Sequence, residues 1–180
     1  MDYGQITKTT LINILNATPR TNENQAVINA LLGYINQDTI QAVPYTYSAV
    51  YWTTGAASYL ASGASNSPAN VNIQADADFL ILNQTYDANN NNASTTVSAR
   101  LYPGVNVTIS DTGSGMSWMD QAVPVPAIFG TGMFPYVLPE PKLCLAKATI
   151  QVLASNTDQT TGYNLRLMFN GVKLFKYPGL

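Results

Sequence analysis

The feature that most constrains this chain is a two-residue alternation in its C-terminal third. Ala148, Ile150, Val152 and Ala154 alternate with Thr149, Gln151 and Leu153, and Tyr163, Leu165, Leu167 and Phe169 alternate with Asn164, Arg166 and Asn170. Successive side chains of a strand point to opposite faces, so this pattern sets one face against a core and the other toward water. Val105, Val107 and Ile109 repeat it against Asn106, Thr108 and Ser110. Residues 45–52 mix aromatic with β-branched side chains, and Phe79, Leu80, Ile81 and Leu82 open a further strand that fades into a loop tip over 87–92. Asn170-Gly171 reads as a two-residue hairpin turn before a short last strand at 172–175. Pro103-Gly104 reads as the turn between strands at 95–101 and 105–111, residues 56–69 as a loop, and 111–115 as another turn. Short alternating strands separated by turns predict a mainly β fold, an antiparallel β-sandwich of jelly-roll-like type.

The first forty residues read differently. Ile6, Leu11, Ile12, Ile14 and Leu15 have partial helical spacing, and Val27, Ile28, Leu31, Leu32 and Ile35 form an apolar stripe of period 3.6 with Thr21 or Asn22 as its cap. A short helical N-terminal segment is expected, divided from the rest as a helical or extended docking segment over 1–44 and a β-sandwich domain over 45–180. Within the latter, residues 122–142 carry Pro124, Pro126, Pro135, Pro139 and Pro141. Proline cannot donate to a central ladder, so this stretch reads as an extended Pro-rich arm.

Composition narrows the function. Only 10% of the 180 residues are charged, against roughly 25% in ordinary soluble domains, while 46% are apolar. Amides and hydroxyls fill the polar positions, giving a surface that can be desolvated against a partner without burying charge. A net charge of −2 with eight scattered Lys and Arg excludes a phosphate-tracking surface, so no nucleic acid is expected as a partner. The start of the chain lacks the basic and apolar regions of a signal peptide, and no apolar run nears the roughly 18 residues of a membrane span. The expectation is synthesis in a cytoplasm and no membrane partner. Cys144, the single cysteine, lies between Leu143 and Leu145, where a buried, inert thiol is expected.

Histidine is absent. That removes the usual general base, the nucleophile–His pairs and most zinc sites. Asp76-Ala77-Asp78 would put two carboxylates on one strand face, as a glycosidase or calcium site might use, yet reads as a solvated strand start. Asp87-Ala88-Asn89-Asn90-Asn91 opens like a calcium loop but has Asn92 where glycine is required and Ser98 where the bidentate glutamate belongs. No catalytic, cofactor-binding or metal-binding residue is assigned, and the chain reads as non-enzymatic.

Tyrosine is over-used, eleven against five Phe and two Trp. Tyr45, Tyr47, Tyr51, Trp52 and Tyr59 cluster, and 45, 47 and 51 share a parity that would place them on one strand face. With Pro124, Pro126, Phe134, Pro135 and Tyr136 of the arm they form the candidate interface. The competing reading is a carbohydrate-binding β-sandwich of a tail or fibre receptor-binding component, with the Tyr/Trp cluster stacking on sugar rings.

The order Phe79-Leu80-Ile81, Val105-Asn106-Val107-Thr108-Ile109, a Pro-rich crossover ending in Leu138-Pro139-Glu140-Pro141-Lys142-Leu143, Ala148-Thr149-Ile150-Gln151-Val152 with Asn156, and Tyr163-Asn164-Leu165-Arg166-Leu167 through Phe169-Asn170-Gly171-Val172-Lys173-Leu174-Phe175 resembles small β-sandwich virion structural proteins of tailed bacteriophages, of the head-decoration or head-to-tail collar type. The resemblance covers residues 75–176. It implies a homo-oligomer made in the cytoplasm of a bacterial host and placed in the virion on the exterior of the capsid or neck, with no cofactor and with major capsid, portal or neck proteins as partners. The N-terminal helices lie outside it and are read as the docking element, so a chain lacking residues 1–40 is expected to stay soluble and folded but to lose assembly.

Overall fold

The computed structural model describes residues 8–20, 24–36, 40–51, 59–90, 102–112 and 115–176. The alternating segments form strands: β1 (Ile40–Tyr51), β2 (Ser67–Asn72), β3 (Asp78–Asn90), β4 (Val105–Asp111), β5 (Met116–Ser117), β6 (Val123–Pro124), β7 (Tyr136–Cys144), β8 (Thr149–Asn156) and β9 (Tyr163–Lys176). They build two sheets with antiparallel pairings, one ordered β1-β9-β3-β7, the other β2-β8-β4-β5 with β6 also on β4. The fold is mainly β, a sandwich. Its interior holds the inward residues of both sheets, including Leu165, Leu167 and Phe169 of β9 and Ile150, Val152 and Ala154 of β8. Phe169 is fully buried and meets Phe129 edge-on at 5.6 Å and Trp118 at 6.0 Å between ring centroids.

Two helices precede the sheets, α1 (Lys8–Ala17) and α2 (Gln25–Asn36). Their stripe residues Leu11, Leu15, Leu31 and Ile35 pack onto Leu80, Val172 and Leu174 on the outer face of the first sheet, so that half of the sheet is apolar on both sides. Helices α1 and α2 of the segment read as a docking element thus pack on their own chain. The 44/45 division falls inside β1, which begins at Ile40. The caps Thr21 and Asn22, the Trp52 ring and the strand expected at 95–101 lie outside the described residues.

Three local readings are corrected. Asn170-Gly171 is no hairpin: β9 runs unbroken for 14 residues, with Gly171 opposite Ile81 at a register shift in β3. A Cβ on Gly171 would sit 2.0 Å from the Leu80 carbonyl oxygen, so glycine is there for close backbone approach rather than for a turn. The shift leaves Leu82 as an extra residue, a β-bulge that reverses the parity of β3. Phe79 and Ile81 face the interior before it, Tyr86 and Ala88 after it. Secondly, 87–90 is not a loop tip. Asp87, Ala88, Asn89 and Asn90 pair with Arg166, Leu165, Asn164 and Tyr163 of β9, and tertiary pairing overrides their turn preference. Thirdly, the region read as loop over 56–69 includes the start of β2, an edge strand in which Pro68 is tolerated.

The Pro-rich stretch lies on the domain itself, as β6, the single-turn helix α3 (Val125–Ile128) and most of β7. Val125 and Phe129 are buried in the sandwich. β7 is the outer strand of its sheet, and its register against β3 jumps between Lys142 and Val137, so Pro139 and Pro141 sit in an unpaired bow where no donor is needed.

Candidate interface

The strands place the tyrosines by parity, as expected, but turn most of the cluster inward. Tyr47 and Tyr51 belong to the core, with Tyr47 edge-on to Phe79 at 4.8 Å. Their hydroxyls tie the structure together: that of Tyr51 lies 2.9 Å from the Val152 carbonyl and 3.0 Å from that of Ser67 on the opposite sheet, and that of Tyr47 accepts the Gln74 N–H. Burial pushes the Tyr51 hydroxyl well above the ordinary phenol range. Neither ring can stack on a sugar or a partner; as candidate interface residues they are corrected to interior clamps. Tyr45 and Tyr59 remain exposed. Of the arm residues, Phe134 is 75% exposed. Pro124 and Pro135 are exposed, and Pro126 and Tyr136 are half-buried. Met133 and Val137 beside them are also exposed, and sequence reading passed over both.

The outer face of the second sheet was not singled out, though its residues are the polar half of the alternation. It presents Pro68, Asn70 and Asn72 from β2, Thr149, Gln151, Leu153 and Ser155 from β8, and Asn106, Thr108 and Ser110 from β4. Asp111, at the end of β4, is the sole charged residue in these three strands. Opposite residues bond across the strands: Thr149 Oγ1 donates to Asn72 Oδ1 at 2.9 Å and Gln151 Nε2 to Asn70 Oδ1 at 3.4 Å. On the first sheet, beyond the bulge, Asn170 joins three strands. Its Nδ2 donates to Asn83 Oδ1 and Thr85 Oγ1, and its Oδ1 accepts from Thr46 Oγ1. Asn70, Asn72 and Gln151 on one face and Asn83 and Asn170 on the other are thus held in place before any partner arrives.

Asp76, Asp78 and Cys144 are structurally engaged. β3 begins at Asp78, so Asp76 and Asp78 do not share a strand face. Asp76 pairs with Lys173 at 3.0 Å, while buried Asp78 accepts the Ala146 N–H at 2.9 Å. Cys144 is buried, and that burial, with the negative Asp111 adding and Lys142 partly offsetting, pushes its thiol up to about 12. It lines a cavity of about 500 Å³ between the end of α1, Asp111 and Met116 of β4 and β5, and β7, where the Lys142 ammonium lies 5.4 Å from the Trp118 ring. Among the described residues no three carboxylate or thiol groups converge as a metal ion requires.

No protein-family model and no curated protein matches the chain.

Proposed function

We propose that the protein is a non-enzymatic virion structural component of a tailed bacteriophage, self-assembling on the exterior of the capsid or head–tail neck and stabilising the particle through protein–protein contacts. The observation that carries the assembly reading is the nearly charge-free outer face of the second sheet, where cross-strand hydrogen bonds already fix Asn70, Asn72, Thr149 and Gln151. Covering such a face strands no charge and orders few free side chains. The exposed apolar group Met133, Phe134 and Val137 supports the same reading, because a patch of this kind on a small domain marks a contact surface. The phage setting is supported by the strand and crossover pattern of residues 75–176.

The carbohydrate-binding alternative loses its main support, since Tyr47 and Tyr51 are interior. The test is to add purified protein to phage heads lacking it and to measure co-sedimentation and head stability against heat. Binding that saturates and raises the temperature of head disruption is expected. A protein that neither associates with itself nor binds heads, neck or tail would sink the proposal.

A further inference from the structure

Among the described residues the two sheets have five outer strands, and four are defended against pairing with another chain. β7 carries Pro139, Glu140, Pro141 and Lys142 and bows out of register. β2 is six residues long with Pro68 inside it, and β5 and β6 are two residues long each. β1 differs. It is 12 residues long, pairs on one side only, with β9, among the described residues, and contains no charged side chain. Thr46, Ser48 and Val50 are exposed along it.

We infer that β1 is the seam of a two-fold dimer, pairing antiparallel with β1 of a second copy so that two four-stranded sheets become one of eight. The inference rests on the self-assembly reading above and adds to its face contacts an edge contact between copies. Pro44 fixes the geometry. Lacking an N–H, it has no bond to give β9, so the even-numbered residues of β1 turn their backbone groups toward the open edge. Thr46, Ser48 and Val50 then supply three donors and three acceptors. A two-fold axis at Ser48 pairs Ser48 with Ser48 and Thr46 with Val50, giving about six backbone hydrogen bonds, two for each of three pairs. An axis at Thr46 would instead set each Pro44 against Ser48 and lose a bond in both pairs. Small and β-branched side chains meet on the outer face, Tyr45 comes opposite Tyr51 on the inner one, and no like charges are juxtaposed. A free strand of another protein would use the same edge but would have no need of this self-complementary register.

Sedimentation of the full chain from about 1 µM to about 100 µM reads the association. Ser48→Lys places two ammonium groups at the axis, with Cα atoms about 5.5 Å apart, and Ser48→Pro removes the central donors; neither touches the β9 ladder. Wild type is expected to dimerise with slow hydrogen exchange at Thr46, Ser48 and Val50. Both variants should be folded monomers, and an equimolar mixture of Ser48→Lys with Ser48→Glu should recover the dimer. If wild type associates and the variants associate equally, the seam is wrong while self-assembly stands. If wild type stays monomeric throughout, both fail. Protection of these amides only on adding head or neck proteins would overturn self-pairing in favour of a foreign strand.

Discussion

Lys173 and Asp76 form an ion pair of unequal burial: Nζ and Oδ2 are 3.0 Å apart, but the lysine side chain is 3% exposed and the aspartate 49%. The ammonium also bonds the Gln74 side-chain carbonyl and lies 4.5 Å from the Tyr45 ring and 5.8 Å from that of Tyr47. Burial alone would lower the Lys173 pKa, but the Asp76 hydrogen bond, together with Tyr47, raises it. The two deletions should therefore differ. Asp76→Asn leaves a buried cation without its counter-charge and should cost about 1–3 kcal/mol, reduced from a fully buried pair by the solvent around Asp76. Lys173→Met keeps the packed stem and releases Asp76 to water, for less than about 1 kcal/mol. Urea unfolding of both variants measures the difference; equal losses would contradict it.

Phe169→Ala should cost about 3–5 kcal/mol, because the ring is fully buried against Phe129 and Trp118. Thermal or urea unfolding decides it. A loss below about 1 kcal/mol would mean that β9 is in a different register.

Two glycines make a matched pair. Gly171→Ala must push the new Cβ into the Leu80 carbonyl and break the bulge, and should lose about 3 kcal/mol or more. Gly33, in α2, has nothing within 4 Å of the added Cβ, so Gly33→Ala should gain about 0.5–1 kcal/mol. Comparable effects at the two positions would refute the close approach at Gly171.

Removing residues 1–36 uncovers Leu80, Val172 and Leu174, all buried under α1 and α2. The truncated chain should bind a hydrophobic dye and precipitate at concentrations where the full chain is clear. This replaces the expectation of a soluble fragment; a clear, dye-negative fragment would show that the helices are dispensable lids.

The Asp158 carboxylate accepts from the Thr160 N–H and hydroxyl, each at 2.8 Å, from the Thr161 N–H at 3.0 Å and from the Tyr163 hydroxyl at 3.2 Å. The Thr160 bonds, then those of Thr161, hold its pKa well below the usual carboxylate range. A depressed folded value means that the contribution is fully present above the unfolded pKa of about 3.9 and fades as pH falls toward the folded one. The stability advantage of wild type over Asp158→Asn should thus be constant from neutrality to about pH 5 and shrink below about pH 4. An advantage that grows on acidification would have the wrong sign.

Particular residues show where the sequence was legible. In β4 and β8 the alternation was unbroken, and Val105, Val107, Ile109, Ile150 and Val152 are all interior. The stripe of α2 was equally readable from its period, while that of α1 showed only partial spacing. β3 failed because one extra residue, Leu82, reverses its parity midway, and no short window of sequence registers a bulge. Asn170-Gly171 carried a strong local turn signal that 12 residues of pairing with β3 overruled. Shared parity put Tyr45, Tyr47 and Tyr51 on one face without saying which face, because a tyrosine suits a core edge as well as a surface. The pairing of Lys173 with Asp76 spans 97 residues, and nothing in either neighbourhood announces it.

The near absence of charge on the outer face of the second sheet has a further consequence for any contact made there. Charged interfaces loosen as added ions shrink the Debye length from about 10 Å at 0.1 M to about 3 Å at 1 M. A contact built from Asn70, Asn72, Thr108, Thr149 and Gln151 has almost nothing for those ions to screen. A coat held on by this face would ride out brine and fresh water alike, and would let go in response to urea or heat instead.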